Sequence, residues 1–115
     1  QFGGQEPGDN DEILNILKYG RPGGGFVPAF PLAQIGDVNG AFASPLWNAL
    51  RTACPAPVTV LSSGLPSWAP IQTADFTWNF NSILVDKNGY PWRRYDTLVQ
   101  PQSQVSDILS LLSAA

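Results

Sequence analysis

The segment from Phe76 to Tyr95 constrains this chain more than any other. An apolar run, Ile83-Leu84-Val85, leads to Asn88-Gly89, and an aromatic-rich run continues from Tyr90 to Tyr95. Asn-Gly tolerates the positive φ that a tight turn needs, so the pattern predicts a β-hairpin. Three adjacent apolar residues, in place of an alternation, predict a first strand covered on both faces, as in a sheet layered between helices. Pro91 has no N–H for a ladder, which puts the second strand at or near a sheet edge. Two neutral N–H donors, the Trp78 indole and the Asn79 amide, stand side by side at the hairpin entrance, and Arg93-Arg94 stand near its exit. These four residues are the chemical signal of the sequence.

The rest of the composition mainly excludes. At 115 residues the chain is at most one domain, and at 43% hydrophobic it can bury a core. A net charge of -3 with six basic residues argues against a nucleic-acid or anionic-membrane partner. No apolar run is long enough to span a bilayer. With no histidine, Ser-His and Cys-His catalysis and histidine-held metals are excluded, and the single cysteine, Cys54, rules out an internal disulfide framework. No metal site is expected. The start at Gln1, with no Met anywhere, is expected to be a truncation, so no compartment can be read from it.

Along the chain, residues 1–8 carry too many glycines for an element interior and read as a loop. Asp9 and Glu12 have the spacing of a capping box, opening a helix of about Asp11 to Tyr19. Its Ile13, Leu14, Ile16 and Leu17 are expected to pack into a core, and Gly20 with Pro22 ends it. The Asp9–Glu12 carboxylates lack the loop of spaced oxygen ligands that calcium needs. Arg21-Pro22-Gly23-Gly24-Gly25-Phe26 lacks the Gly-Lys-Ser/Thr ending of a phosphate loop and reads as a turn. Ser44-Pro45 starts a second helix, with Leu46, Ala49, Leu50 and Ala53 as its apolar face, stopped by Cys54-Pro55. Cys54 sits at a helix C-terminus, where the dipole disfavours a thiolate. From Thr52 to Ala74 no residue is charged, so this loop is expected to pack back on the domain or to be covered by a partner. A last helix is expected after Pro101, capped near Ser103, covering the sheet with Val105, Ile108, Leu109 and Leu112.

Trp78-Asn79-Phe80, Ile83-Leu84-Val85-Asp86, Asn88-Gly89 and Arg93-Arg94-Tyr95 together resemble the C-terminal half of the glutathione peroxidases. Gln1-Phe2-Gly3, Gln5-Glu6-Pro7-Gly8, Arg21 through Phe26, Val38-Asn39-Gly40 and Pro45-Leu46 agree in the same order. The resemblance implies an α/β, thioredoxin-like fold, of which residues 1–115 form a single partial domain: helix, helix, β-hairpin and C-terminal helix. The N-terminal strands and the peroxidatic selenocysteine or cysteine are expected upstream. It further implies that Gln1, Trp78 and Asn79 are catalytic, and that Arg21, Arg93 and Arg94 bind glutathione. Gly4 and Ser82 depart from the family, which usually carries a larger polar or basic residue at the first position and lysine at the second.

Neutral N–H donors suit that chemistry because they stabilise a sulfur or selenium anion, and the charge moving onto peroxide oxygen, without titrating near neutrality. Glutathione is a small dicarboxylate at neutral pH, which arginines would orient. Adjacent strand residues point to opposite faces, so at most one of Arg93 and Arg94 should face the site unless the strand has ended. The resemblance implies hydrogen peroxide and small organic hydroperoxides as substrates, glutathione as co-substrate and no other cofactor. It also implies a homotetramer contacting through Arg21–Phe26 and the 54–75 loop. Extracellular placement is the closer match, with cytoplasmic as the alternative. Two other readings stay open: a non-catalytic oligomerising or binding remnant, and a thioredoxin-dependent peroxidase. The second would need a further cysteine, which the helix of about Asp11 to Tyr19 lacks.

Overall fold

The structure, a computed structural model, describes residues 2–20, 23–57 and 66–114. Gln1, Arg21 and residues 58–65 of the uncharged loop lie outside the described residues. The chain divides into two compact units, one of Gly3–Gly36 and one of Phe2 with residues 37–114.

In the first unit, helix α1 runs over Ile13–Tyr19. Asp9 Oδ1 accepts from the Asp11 and Glu12 N–H groups at 3.0 and 3.1 Å, and Glu12 Oε2 accepts from the Asp9 N–H at 3.4 Å. These bonds are the reciprocal capping box, closed one turn ahead of the regular helix. Ile16 lies over Gly8, where a Cβ would come within 2.4 Å of its Cδ1. The expected core stripe of α1 is nonetheless unburied: no residue of the helix is buried, and Leu14 and Ile16 are exposed. The amphipathic period fixed the helix, but the described residues do not cover its apolar face.

The second unit contains helix α2 (Pro45–Ala53), strands β1 (Ser82–Val85) and β2 (Pro91–Tyr95), a 3-10 turn (Pro101–Gln104) and helix α3 (Val105–Ser113). Ser44 Oγ caps α2 by accepting the Trp47 N–H, with Pro45 in the first turn. The face of α2 turned inward is Trp47, Leu50, Arg51 and Cys54, whereas Leu46, Ala49 and Ala53 of the expected apolar face are exposed. The reason lies in Arg51, whose buried guanidinium pairs with Asp75 and needs that side of the helix.

β1 and β2 pair antiparallel, Ser82 with Tyr95, Ile83 with Arg94, Leu84 with Arg93 and Val85 with Pro91. Trp92 is therefore an extra residue between paired positions, a bulge that brings Pro91 into the ladder's end. Gly89 has φ +85°, and Asp86 Oδ1 closes the turn by accepting from the Asn88 and Tyr90 N–H groups. Among the described residues the sheet has two strands, and Val85 is exposed. The two-sided cover expected for β1 is not present there.

α3 meets β2 by its polar side. Tyr95 donates its hydroxyl proton to Asp107 Oδ2 at 2.5 Å, Arg93 donates to the same oxygen at 2.8 Å, and Ser82 Oγ donates to Gln104 at 3.1 Å. Val105, Ile108, Leu109 and Leu112, expected to cover the sheet, are exposed. Ser103 does not cap: the chain enters α3 through the 3-10 turn.

Candidate functional site

The interior of the second unit is polar. Asn39 and Asp75 are its most deeply buried large side chains, 0% and 1% exposed. Asn39 clasps Phe76, donating to its carbonyl and accepting its N–H, each at 2.8 Å, as a strand neighbour would. Asp75 pairs with Arg51 through one oxygen and through the other accepts from the Trp68 indole at 2.8 Å and the Gln72 N–H at 2.9 Å. One carboxylate thus ties helix α2 to the end of the uncharged loop.

This frame holds the loop that carries Trp78 and Asn79. The Trp78 carbonyl accepts from Asn81 Nδ2 at 2.9 Å, and the Asn79 carbonyl accepts from Thr97 Oγ1 at 2.5 Å. Asn81 Oδ1 in turn accepts from Arg94 at 3.3 and 3.4 Å. Fixing these two carbonyls sets the backbone from which the Trp78 and Asn79 side chains project. Trp78 is 39% exposed, so its ring reaches solvent beside the frame.

Phe80, next in sequence, has φ +59° and is 90% exposed. Phe2 has φ +55°, and its ring meets that of Trp78 at a 60° tilt with centroids 6.2 Å apart. A non-glycine residue in the left-handed region costs about 1–3 kcal/mol and persists where its surroundings enforce it. Both residues line a pocket of about 110 Å³ together with Val38, Trp47, Phe76, Trp78 and Asn81.

No protein-family model matches the chain. Among curated proteins it is 46% identical over 113 residues to the epididymal secretory glutathione peroxidase of Macaca fascicularis, an alignment covering 97% of this chain and 51% of that protein. To glutathione peroxidase 1 of Hylobates lar it is 48% identical over 118 positions, covering 98% of the chain and 59% of the relative. To glutathione peroxidase 3 of Rattus norvegicus it is 44% identical over 113 residues, with 97% and 50% covered. Each of these relatives, similar to nearly the whole of this chain, is a glutathione peroxidase. The chain spans about half the length of the curated relatives it matches.

The two adjacent arginines leave opposite faces of β2. Arg93 is exposed, bound to Asp107 and lying 5.6 Å from the Trp92 ring and 5.7 Å from the Tyr95 ring. Arg94 is 6% exposed, donates to the carbonyls of Ala74 and Asp75 at 2.7 and 2.8 Å, and sits 4.3 Å over Phe76. Burial lowers the Arg94 pKa, with the negative charge of Asp75 acting the other way. The structure therefore joins Arg94 to Trp78 through Asn81, and sends Arg93 toward α3. Gln1 and Arg21 lie outside the described residues.

Cys54 is buried, and burial pushes its thiol pKa up, with the positive charge of Arg94 acting the other way. A thiol held protonated is a poor nucleophile. No cluster of three or more His, Cys, Asp or Glu side chains able to hold a metal occurs among the described residues, nor does any helix there long and apolar enough to cross a membrane. Residues given no site role from the sequence, Asn39, Asp75, Asn81, Phe2 and Phe80, turn out to build the site; Phe2, Asn39 and Phe80 stood there only as parts of motifs. Asp75 had a visible signal as the first charge after a long uncharged stretch.

Proposed function

We propose that this chain is the donor half of a glutathione peroxidase of thioredoxin-like fold, reducing hydrogen peroxide and small organic hydroperoxides with glutathione. The observation that carries the reading is the Trp78-Asn79 pair, held by bonds to its carbonyls from Asn81 and Thr97. The names of the curated relatives support the reaction class.

In this reading a selenolate or thiolate from outside these 115 residues attacks one peroxide oxygen. The O–O bond breaks, and the other oxygen leaves with a proton as water or alcohol. Gln1, Trp78 and Asn79 donate hydrogen bonds to the anion. The attacked oxygen stays on the sulfur or selenium until a first glutathione thiol displaces it as water and bonds to that atom; a second glutathione thiolate then attacks the bound glutathione sulfur, releasing glutathione disulfide and the original anion. Cys54 is not the attacking group, because its burial opposes ionisation. Arg21 and Arg93 meet the carboxylates of glutathione, Arg93 by exchanging its partner Asp107. Arg94, surrounded by carbonyl oxygens, contributes from beneath by steadying the Trp78 loop. The complete protein assembles as a homotetramer through Arg21–Phe26 and the 54–75 loop, with glutathione and a hydroperoxide as its small-molecule partners, and it works outside the cell.

The test is a glutathione-coupled assay on a full-length protein carrying this sequence. Trp78→Phe keeps the ring and removes the donor, and kcat is expected to fall about 10²-fold, as when one oxyanion donor is lost. A full-length protein without peroxidase activity would instead favour a non-catalytic, oligomerising role. Activity supported by thioredoxin and not by glutathione would reassign the reductant.

A further inference from the structure

The pocket beside Trp78 is walled by five aromatic rings, those of Phe2, Trp47, Phe76, Trp78 and Phe80. Its one amide side chain, Asn81, has its oxygen bound by Arg94 and its nitrogen bound to the Trp78 carbonyl, so it offers the interior little polar capacity. Phe2 and Phe80 are the two non-glycine residues with positive φ among the described residues, and both are pocket walls. Strain concentrated on two walls of one cavity marks a shape that the fold maintains against local preference. A donor loop needs no such aromatic cleft to bind hydrogen peroxide, which has no hydrocarbon to seat.

We infer that this pocket receives the hydrocarbon group of an organic hydroperoxide and sets the preference between alkyl or aryl hydroperoxides and hydrogen peroxide. The inference rests on the peroxidase reading above and adds the residues that choose the substrate. An apolar cavity of about 150 Å³ takes a benzene molecule. At about 110 Å³ this one suits a branched four-carbon group, and a larger substituent would extend past the exposed Phe80 ring into solvent. Substrate hydrocarbon seated here lies against the face of the Trp78 ring. Its peroxide end then stays beside the Trp78-Asn79 donors.

The experiment measures kcat/KM for tert-butyl hydroperoxide and for hydrogen peroxide in a full-length protein carrying this sequence, and in two variants. Phe80→Gly removes an exposed wall and accepts the positive φ without strain. Val38→Phe fills the cavity from its one aliphatic side. The readout is the ratio of the two constants, from which losses common to both peroxides cancel. That ratio is expected to fall about tenfold in each variant, the low end of what a lost apolar contact contributes to discrimination. An unchanged ratio in an active variant overturns the inference and leaves the peroxidase reading standing. Loss of both activities in both variants also overturns it, because the rings would then serve a step shared by both peroxides. A parent protein inactive on both peroxides removes the reading and the inference together, and one active on hydrogen peroxide alone overturns the inference.

Discussion

Replacing Asp75 by Asn keeps the shape of the most buried carboxylate in the protein and removes its charge. Its side chain is fully shielded, and it serves three donors: the Arg51 guanidinium, the Trp68 indole and the Gln72 N–H. Asparagine can still accept from Trp68 and Gln72, but it turns an N–H₂ toward Arg51, donor against donor. Arg51 would then hold its buried charge with Asn48 Oδ1, at 2.5 Å, as its one acceptor, and its Nε already lacks one. Breaking a buried ion pair from one side costs about 3–5 kcal/mol. The reverse change, Arg51→Met, strands Asp75 less, because two neutral donors still face it. Asp75→Asn is therefore expected near the top of that range and Arg51→Met near the bottom. The double change Arg51→Met with Asp75→Asn is expected to recover most of the loss, since no buried charge remains and the asparagine oxygen still accepts from Trp68 and Gln72. Urea unfolding of the wild-type protein and the three variants gives the four free energies. Equal costs for the two single variants, or a double variant as unstable as their sum, would refute this account of the interior.

The Tyr95–Asp107–Arg93 cluster predicts a pH window for the docking of α3. Its hydrogen bond from Tyr95, then that from Arg93, holds the Asp107 carboxyl below the usual range, so its contribution is present above about pH 4 and lost as the pH falls further. Burial, then the bond to Asp107, pushes the Tyr95 hydroxyl up, so its contribution is present below about pH 10 and lost as the pH rises through the folded value. Tyr95→Phe should flatten both limbs of a stability-against-pH curve, and an alkaline limb that keeps its slope would count against the cluster. Asn39→Ala leaves the buried N–H and carbonyl of Phe76 without their partner, an expected loss of about 2–5 kcal/mol in chemical unfolding. A loss under 1 kcal/mol would mean that water replaces the clasp. Gly89→Ala meets open space at φ +85° and should cost about 1 kcal/mol, whereas Gly40→Ala, at φ +80° with its Cβ 3.0 Å from the Ala69 carbonyl and the Trp68 Cβ, should cost clearly more. Equal melting shifts for the two would contradict that packing.

Local grammar carried much of the fold. The Asp9–Glu12 box, the Ser44-Pro45 start, the Cys54-Pro55 stop and the Asn88-Gly89 turn all act through neighbours in sequence, and each is visible in the residues themselves. Which face of a helix turns inward is a long-range matter. α2 and α3 present Arg51 and Asp107 to their surroundings, and the acceptor or donor that draws each lies 24 or 12–14 residues away. Hydrophobic periodicity marked the opposite sides because apolar spacing says nothing about where a charge finds its partner. The same limit applies to the site. Trp78-Asn79 was legible as adjacent donors, and the opposed directions of Arg93 and Arg94 follow from strand alternation. The Asn81 relay and the strained walls at Phe2 and Phe80 depend on tertiary placement that no spacing encodes.

The pairing of Arg51 with Asp75 also bears on how this stretch of chain can change over generations. The two residues clamp both ends of the intervening segment, so that its length is uncoupled from the donor loop beyond it. The entropy of closing such a segment grows slowly, about 0.6 kcal/mol for each doubling. Insertions and deletions between the clamps that spare Trp68 and Gln72, which hold Asp75, are therefore expected to change the donor loop little, whatever they do to the outer surface. Lineages can remodel that surface freely while Trp78 and Asn79 stay where they are.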